Sequence, residues 1–226
     1  MKKEQITIDE INKEIDSHIQ EISREFKQGF EFLKKYPKSV TIFGSARSTI
    51  ESSHYNDAYA LASKITKETG YTIITGGGPG IMESANKGAY DAKGNSVGLN
   101  IILPHEQKIN PNVTDSLHFN YFFIRKPMMM FAAEAYIFFP GGFGTFDELF
   151  GLLTLIQTNK IPKVPVILVG KDFWMPVKEL VRNQMLNRHH TISKEDLDLL
   201  FITDSHDLVI KIIKKAPVSE WWSQLD

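Results

Sequence analysis

PGGFGTFDEL, Pro140 to Leu149, is the stretch on which the reading of this chain turns. An apolar β-type run, Ala135 to Phe139, enters it, and a helix-like pattern leaves it, with Phe146, Leu149, Phe150, Leu152, Leu153 and Ile156 recurring every three or four residues. The order is therefore strand, loop, helix. Gly141, Gly142 and Gly144 let the backbone turn tightly and let a ligand approach without Cβ atoms in the way, while the first N–H groups of the helix point out of its end. That combination suits an anion, phosphate above all. A plainer reading fits the same residues: Thr145 and Glu148 match the S/T-x-x-E capping box, in which they would only close the helix start.

A second unit repeats the pattern upstream. Tyr71 to Thr75, YTIIT, reads as a strand, runs into Gly76, Gly77, Gly78, Pro79 and Gly80, and is followed by a small-residue helix, Ile81 to Tyr90, with Glu83 near its start. Glu83 suits either a ligand contact or a helix cap. Neither loop meets the stricter nucleotide signatures. Gly76-x-Gly78 meets Ile81 where G-x-G-x-x-G needs its third glycine, and no G-x-x-x-x-G-K-[ST] occurs in the chain. A standard dinucleotide dehydrogenase and a P-loop ATPase are thereby disfavoured.

The other segments extend one scheme. Ile11, Ile15, Ile19, Ile22, Phe26, Phe30 and Leu33 step along a long amphipathic helix that ends near Tyr36 and Pro37, so residues 1–37 read as an added helical segment and 38–226 as one domain. Ser39 to Phe43 reads as the first core strand; at its carboxyl end Gly44, Ser45 and Arg47 are candidate ligand-lining residues, by the rule that open parallel sheets bind there. Further strands are expected at Ser96–Leu103, at the aromatic run Phe119–Phe123 and at Val164–Val169. Helices are expected at Met128–Ala135, with Pro127 at its start, then at Trp174–Leu186, Ser193–Leu200 and Asp204–Lys215. Trp221 and Trp222 read as docking anchors. Strands alternating with helices predict an α/β fold, a parallel sheet flanked by helices with an added N-terminal amphipathic helix.

Composition excludes several classes. The chain has 226 residues, 42% of them hydrophobic, enough for a real core in one domain. Lys and Arg number 26 against 27 Asp and Glu, so net charge gives no reason to expect a nucleic-acid polymer or an anionic membrane as partner. Cysteine is absent, which removes disulfides, thiolate nucleophiles and Cys-type zinc sites. His105, His118, His189 and His190 have no metal-ligand spacing. No leader-like core or membrane-length apolar run is visible, so a cytoplasmic protein is expected.

GGGPGIME at Gly76 to Glu83, the pair Arg125–Lys126, and PGGFGTFDE at Pro140 to Glu148 resemble, in order and spacing, the LOG family. That family, long labelled "possible lysine decarboxylase", includes the cytokinin riboside 5′-monophosphate phosphoribohydrolases. The resemblance covers about Val40 to Gly170. It implies a Rossmann-like fold, dimeric or built of dimers, that hydrolyses the N-glycosidic bond of a nucleoside 5′-monophosphate, AMP or an N6-modified AMP, without metal or organic cofactor. Carried over by position, it makes Arg125 and Glu148 catalytic and Gly141, Gly142, Gly144 and Thr145 the phosphate loop; from the loops themselves, Gly44, Ser45, Gly77, Gly78, Glu83 and Lys126 are expected as further substrate contacts. Three features differ from the plant-type enzymes: GSAR after the first strand, FFI before the arginine, and the long N-terminal helix.

The chemistry gives these residues a reason. Breaking a C1′–N bond develops positive charge on the ribose, which a nearby carboxylate stabilises. Glu148 could supply that charge, hold ribose hydroxyls or orient water. Arg125 is a poor proton donor, so orienting Glu148 or binding phosphate or the base suits it better. A decarboxylase would need pyridoxal phosphate on a lysine, and neither Lys87 nor Lys126 is marked for that. A second class fits the fold as well, a nucleotide- or molybdopterin-binding carrier or sensor without turnover.

Overall fold

The computed structural model describes residues 8–102, 109–131 and 133–216. Seven strands form one sheet in the order β4-β3-β2-β1-β5-β6-β7, every pair parallel. They are β1 Ser39–Phe43, β2 Thr72–Thr75, β3 Ser96–Ile101, β4 Asp115–Phe119, β5 Ala135–Phe138, β6 Val166–Leu168 and β7 Phe201–Ile202. The helices are α1 Ile8–Leu33, α2 Ser53–Thr69, α3 Ile81–Asp91, α4 Phe122–Phe131, α5 Phe143–Gln157, α6 Lys171–Leu180, α7 Lys194–Leu197 and α8 His206–Lys215. The expected Rossmann-like α/β architecture is the one observed. Leu103, His105, Trp221 and Trp222 lie outside the described residues.

Period-two alternation divides the core. Val40, Ile42, Ile73, Ala135 and Ile137 pack on one face under α2, α3 and α8, whereas Phe43, Ile74, Tyr136 and Phe138 pack on the other with α4 and α5. Both faces are thus buried, as the near-continuous apolar strands require. β1 and β5 are in register from Val40–Ala135 to Phe43–Phe138, and the last two rings stack with centroids 4.7 Å apart. The chain leaves β1 toward β2 on one side and returns to β5 on the other. The carboxyl ends of β1 and β5 therefore diverge into loops that no crossover covers, the place where such sheets bind ligands.

Two segments differ from the sequence reading. The aromatic run does not form the strand: β4 lies at Asp115–Phe119, and Phe122 and Phe123 open α4 with 60% and 56% of their surface exposed. An edge strand needs only one apolar face. Leu117 and Phe119 supply it against the core while Asp115, Ser116 and His118 remain partly open, so its polarity hid it. Consequently α4 starts before Pro127, which sits inside the helix, and Arg125 and Lys126 are helical residues. The helix expected at Trp174–Leu186 starts at Lys171 and passes at Val181 into a π-helical segment, Val181–Arg188.

α1 is amphipathic, and among its described side chains the buried ones lie in its second half. Ile15 and Ile19 are exposed, whereas Glu25, Phe32 and Leu33 are buried against the β4–α4 side of the sheet. Its far end is fixed by the Tyr36 hydroxyl, which donates to Asp115 Oδ2 at 2.6 Å, with Lys35 Nζ at 3.3 Å from the same oxygen.

Candidate active site

Three loops meet at the divergence of β1 and β5. Ser45 joins them: its N–H donates to the Pro140 carbonyl and its own carbonyl accepts from Ile81 N, both at 3.0 Å. Glycine permits this crowding. Gly80 has φ +71°, and a Cβ there would lie 2.3 Å from the Ser45 carbonyl oxygen. A Cβ on Gly141 would lie 2.1 Å from Thr145 Oγ1, so the Pro140 loop folds directly onto the first turn of α5.

Thr145 and Glu148 do not form the capping box. Gly142 occupies the N-cap position of α5 and no side chain caps the helix. Thr145 is instead the third helical residue, and Glu148 lies a turn deeper with its side chain 20% exposed. The backbone N–H groups at the start of α5 are left to the cleft, because Phe146 N is the first to find a carbonyl, that of Gly142.

The loops enclose a cavity of about 910 Å³. Its lining includes Gly44, Ser45 and Arg47 after β1, Gly76 after β2, Arg125 from α4, and Gly141, Gly142, Gly144, Thr145 and Glu148 from the Pro140 unit. Gly77, Gly78, Glu83 and Lys126 are not on this lining. Gly77 and Gly78 offer their carbonyls to Asn110, through its N–H at 2.9 Å and its Nδ2 at 3.1 Å. Glu83 stands in the first turn of α3, and Lys126 Nζ binds Asp147 Oδ1 at 2.7 Å. Sequence reasoning passed over Met82, Asn100, Ile101, Phe122, Phe143 and Phe146, which complete the walls. Asn100 and Ile101 end β3, so the rule that picked out Gly44 could have found them; Phe122 was concealed by the misplaced strand.

Arg125 and Glu148 lie beside each other on the lining of this cavity. The Arg125 Nε donates to the Leu99 carbonyl at 2.6 Å, which fixes the guanidinium at the end of β3, and Nη1 lies 3.9 Å from Glu148 Oε1. Burial pushes the Glu148 carboxyl from its ordinary 4.5 up to about 7; Arg125 opposes the shift without cancelling it. Burial also holds the Arg125 guanidinium below its ordinary value, with Glu148 acting in the opposite sense. The pair is close yet not tightly joined, which leaves the carboxylate available to a ligand.

A stability consequence follows from the sign of the Glu148 shift. The folded protein holds this proton more tightly than the unfolded chain, so stability at this group is greatest below 4.5 and is lost as pH rises through about 7. Glu148→Gln is therefore expected to unfold at a higher temperature than the wild type at pH 8, by an amount worth roughly 3 kcal/mol at most, and the gap is expected to close below pH 4.5. Thermal unfolding of both proteins across that range measures it; a variant less stable than the wild type at pH 8 contradicts the burial assigned to Glu148.

A parallel sheet with a glycine-walled cleft at its switch point defines a Rossmann-like fold. The chain belongs to the LOG family: the family model described as "Possible lysine decarboxylase" matches residues 82–213. The rice cytokinin riboside 5′-monophosphate phosphoribohydrolase LOG is 31% identical over 136 residues, 57% of this chain and 53% of that protein. The Rhodococcoides fascians cytokinin riboside 5′-monophosphate phosphoribohydrolase is 26% identical over 157 residues, 65% of this chain and 75% of that one. The chain thus spans about half the length of the rice relative. Among solved structures, the molybdenum cofactor binding protein of Rippkaea orientalis superposes with a TM-score of 0.58 at 25% identity, over 78% of this chain and 93% of that one.

Proposed function

We propose that this protein hydrolyses the N-glycosidic bond of a nucleoside 5′-monophosphate, AMP or an N6-modified AMP, giving free base and ribose 5-phosphate. The observation that carries the reading is the Arg125–Glu148 pair, half-buried and 3.9 Å apart on the lining of one glycine-rich cavity. The phosphoribohydrolase names of the rice and bacterial relatives support it.

In this reading the 5′-phosphate rests on Gly141, Gly142, Gly144 and Thr145, where the open N–H groups of α5 and its dipole favour negative charge. Binding there supplies energy remote from the reacting bond and sets the ribose against Glu148. As C1′–N cleavage proceeds, the ionised Glu148 stabilises the growing positive charge and takes the ribose hydroxyls. Arg125 orients Glu148 and meets the departing base. Water attacks C1′ and the base leaves with a proton, so no redox partner or cofactor is invoked. The Met82, Ile101 and Phe122 walls provide an apolar seat for the base.

The same proposal treats 38–226 as the catalytic domain with α1 appended, places the protein in the cytoplasm, and makes it a homodimer or an assembly of dimers, for which exposed Ile15, Ile19 and Phe123 offer apolar surface. A carrier reading has one specific support, the likeness to the Rippkaea orientalis molybdenum cofactor binding protein. Base release from a panel of nucleoside 5′-monophosphates and the matching nucleosides, followed by chromatography, separates the two. Release that requires the 5′-phosphate is expected, with kcat rising as pH climbs through about 7 as Glu148 ionises. Binding of AMP with no base released at any pH favours the carrier.

A further inference from the structure

α1 precedes the stretch matched by the family model, yet four of its residues meet the corner that launches the helix bearing Arg125. His18 Nδ1 stands 3.2 Å from the Tyr121 hydroxyl, and that hydroxyl donates to Glu21 Oε2 at 3.2 Å. One turn on, the Glu25 carboxylate accepts from Asn120 N at 3.1 Å (Oε1) and 3.3 Å (Oε2), and from Asn120 Nδ2 at 2.5 Å. At the next turn Gly29 is so close to α4 that a Cβ would lie 2.6 Å from Met128 Sδ. Residues 18, 21, 25 and 29 follow the three- and four-residue spacing of one helix stripe, so α1 presents a continuous seam to the β4–α4 corner.

Glu25 is the buried member of that seam, with 4% of its surface exposed. A carboxylate in such a place is costly unless its oxygens are satisfied, and here Asn120 satisfies them. Asn120 is followed by Tyr121, whose carbonyl accepts from both Ile124 N and Arg125 N at 3.1 Å. The path from Glu25 to the Arg125 backbone thus runs through one side-chain contact and one turn of helix. No other role for a buried acid here is apparent, since Glu25 does not reach the cavity lining.

We infer that Glu25 is a positioning residue: through Asn120 it fixes the first turn of α4 and so the placement of Arg125 opposite Glu148. This rests on the hydrolase reading for its kinetic consequence, but not for its structural one. Three variants test it, Glu25→Ala, Asn120→Asp and the exchanged pair E25Q/N120D. Asn120→Asp sets carboxylate against carboxylate, whereas in the pair the glutamine carbonyl accepts the residue 120 N–H and its amide donates to the new aspartate.

Each single variant is expected to lower kcat about 10- to 100-fold with KM for the nucleotide within about 3-fold of wild type, and the pair to recover most of kcat. Hydrogen exchange at residues 120–125 is expected to speed up in the singles and return in the pair, with exchange in α2 and α3 unmoved. Singles that lose only thermal stability, keeping kcat at temperatures well below unfolding, overturn the inference, as does a pair that restores neither quantity. If the wild type releases no base from any nucleotide, the hydrolase reading falls by itself, and exchange at residues 120–125, which needs no turnover, decides whether Glu25 sets the corner.

Discussion

Glu148→Gln is expected to reduce base release from the preferred nucleoside 5′-monophosphate by about 10²–10³-fold in kcat at pH 8, the range seen when a preorganised electrostatic partner of a transition state is removed. Glutamine fills the same volume and can still hydrogen-bond ribose hydroxyls, but it carries no charge to set against the developing cation. Loss of rate should therefore exceed loss of affinity, and the variant should bind ribose 5-phosphate nearly as well as the wild type, because the glycine loop is untouched. Thermal stability at or above that of the wild type, measured on the same variant, excludes misfolding as the cause. Turnover within tenfold of wild type would remove Glu148 from the chemistry.

Gly76→Ala is the second variant with a large expected effect, although Gly76 carries no functional group. Its new Cβ would lie 2.2 Å from Arg125 Nη2 and 2.8 Å from Met82 Sδ. Both are the far ends of flexible side chains, so the fold can yield at little cost, and the melting temperature should move by a few degrees at most. The guanidinium must nevertheless leave its place opposite Glu148. A loss of about 10- to 100-fold in kcat is expected from a displacement of that size. Gly80→Ala is different in kind, because its Cβ meets the Ser45 backbone in a left-handed conformation, and it should damage folding as well. Steady-state kinetics beside thermal unfolding distinguishes the two glycines; a fully active Gly76→Ala would mean that the position of Arg125 does not matter.

The sheet and most of the cleft were legible in the sequence because apolar strands ending in glycine report burial and backbone freedom together. β1, β2 and β5 were found in this way, and their loops do converge. The helix expected at Ser193–Leu200 also begins there, with Ser193 as its cap: its side chain accepts from Asp196 N, and Asp196 returns the bond. What failed was signal that sequence shares between two structures. Thr145 and Glu148 have capping-box spacing, but Gly142 takes the cap and moves both residues into the helix. Phe122 and Phe123 have strand composition, but they open a helix, largely exposed, while the polar edge strand lies upstream. The two-residue β7 is too short to show a period. Gly77 and Gly78 look equivalent to Gly76, and only the hydrogen bonds to Asn110 reveal that the loop turns them away from the cavity.

The strand order separates the cleft into a fixed part and a variable part. Ser45, Gly76 and Gly141 follow β1, β2 and β5, three strands joined side by side at the middle of the sheet, so their spacing can change only if the sheet changes. Asn100 and Ile101 end β3 and Phe122 follows β4, at the margin, where a strand end can shift or a loop can lengthen without disturbing the centre. Substitution at Asn100, Ile101 or Phe122 can therefore alter which molecule is accepted while the glycine loops and Glu148 stay in place. In evolutionary terms, a lineage with this fold can diversify its ligands one wall at a time.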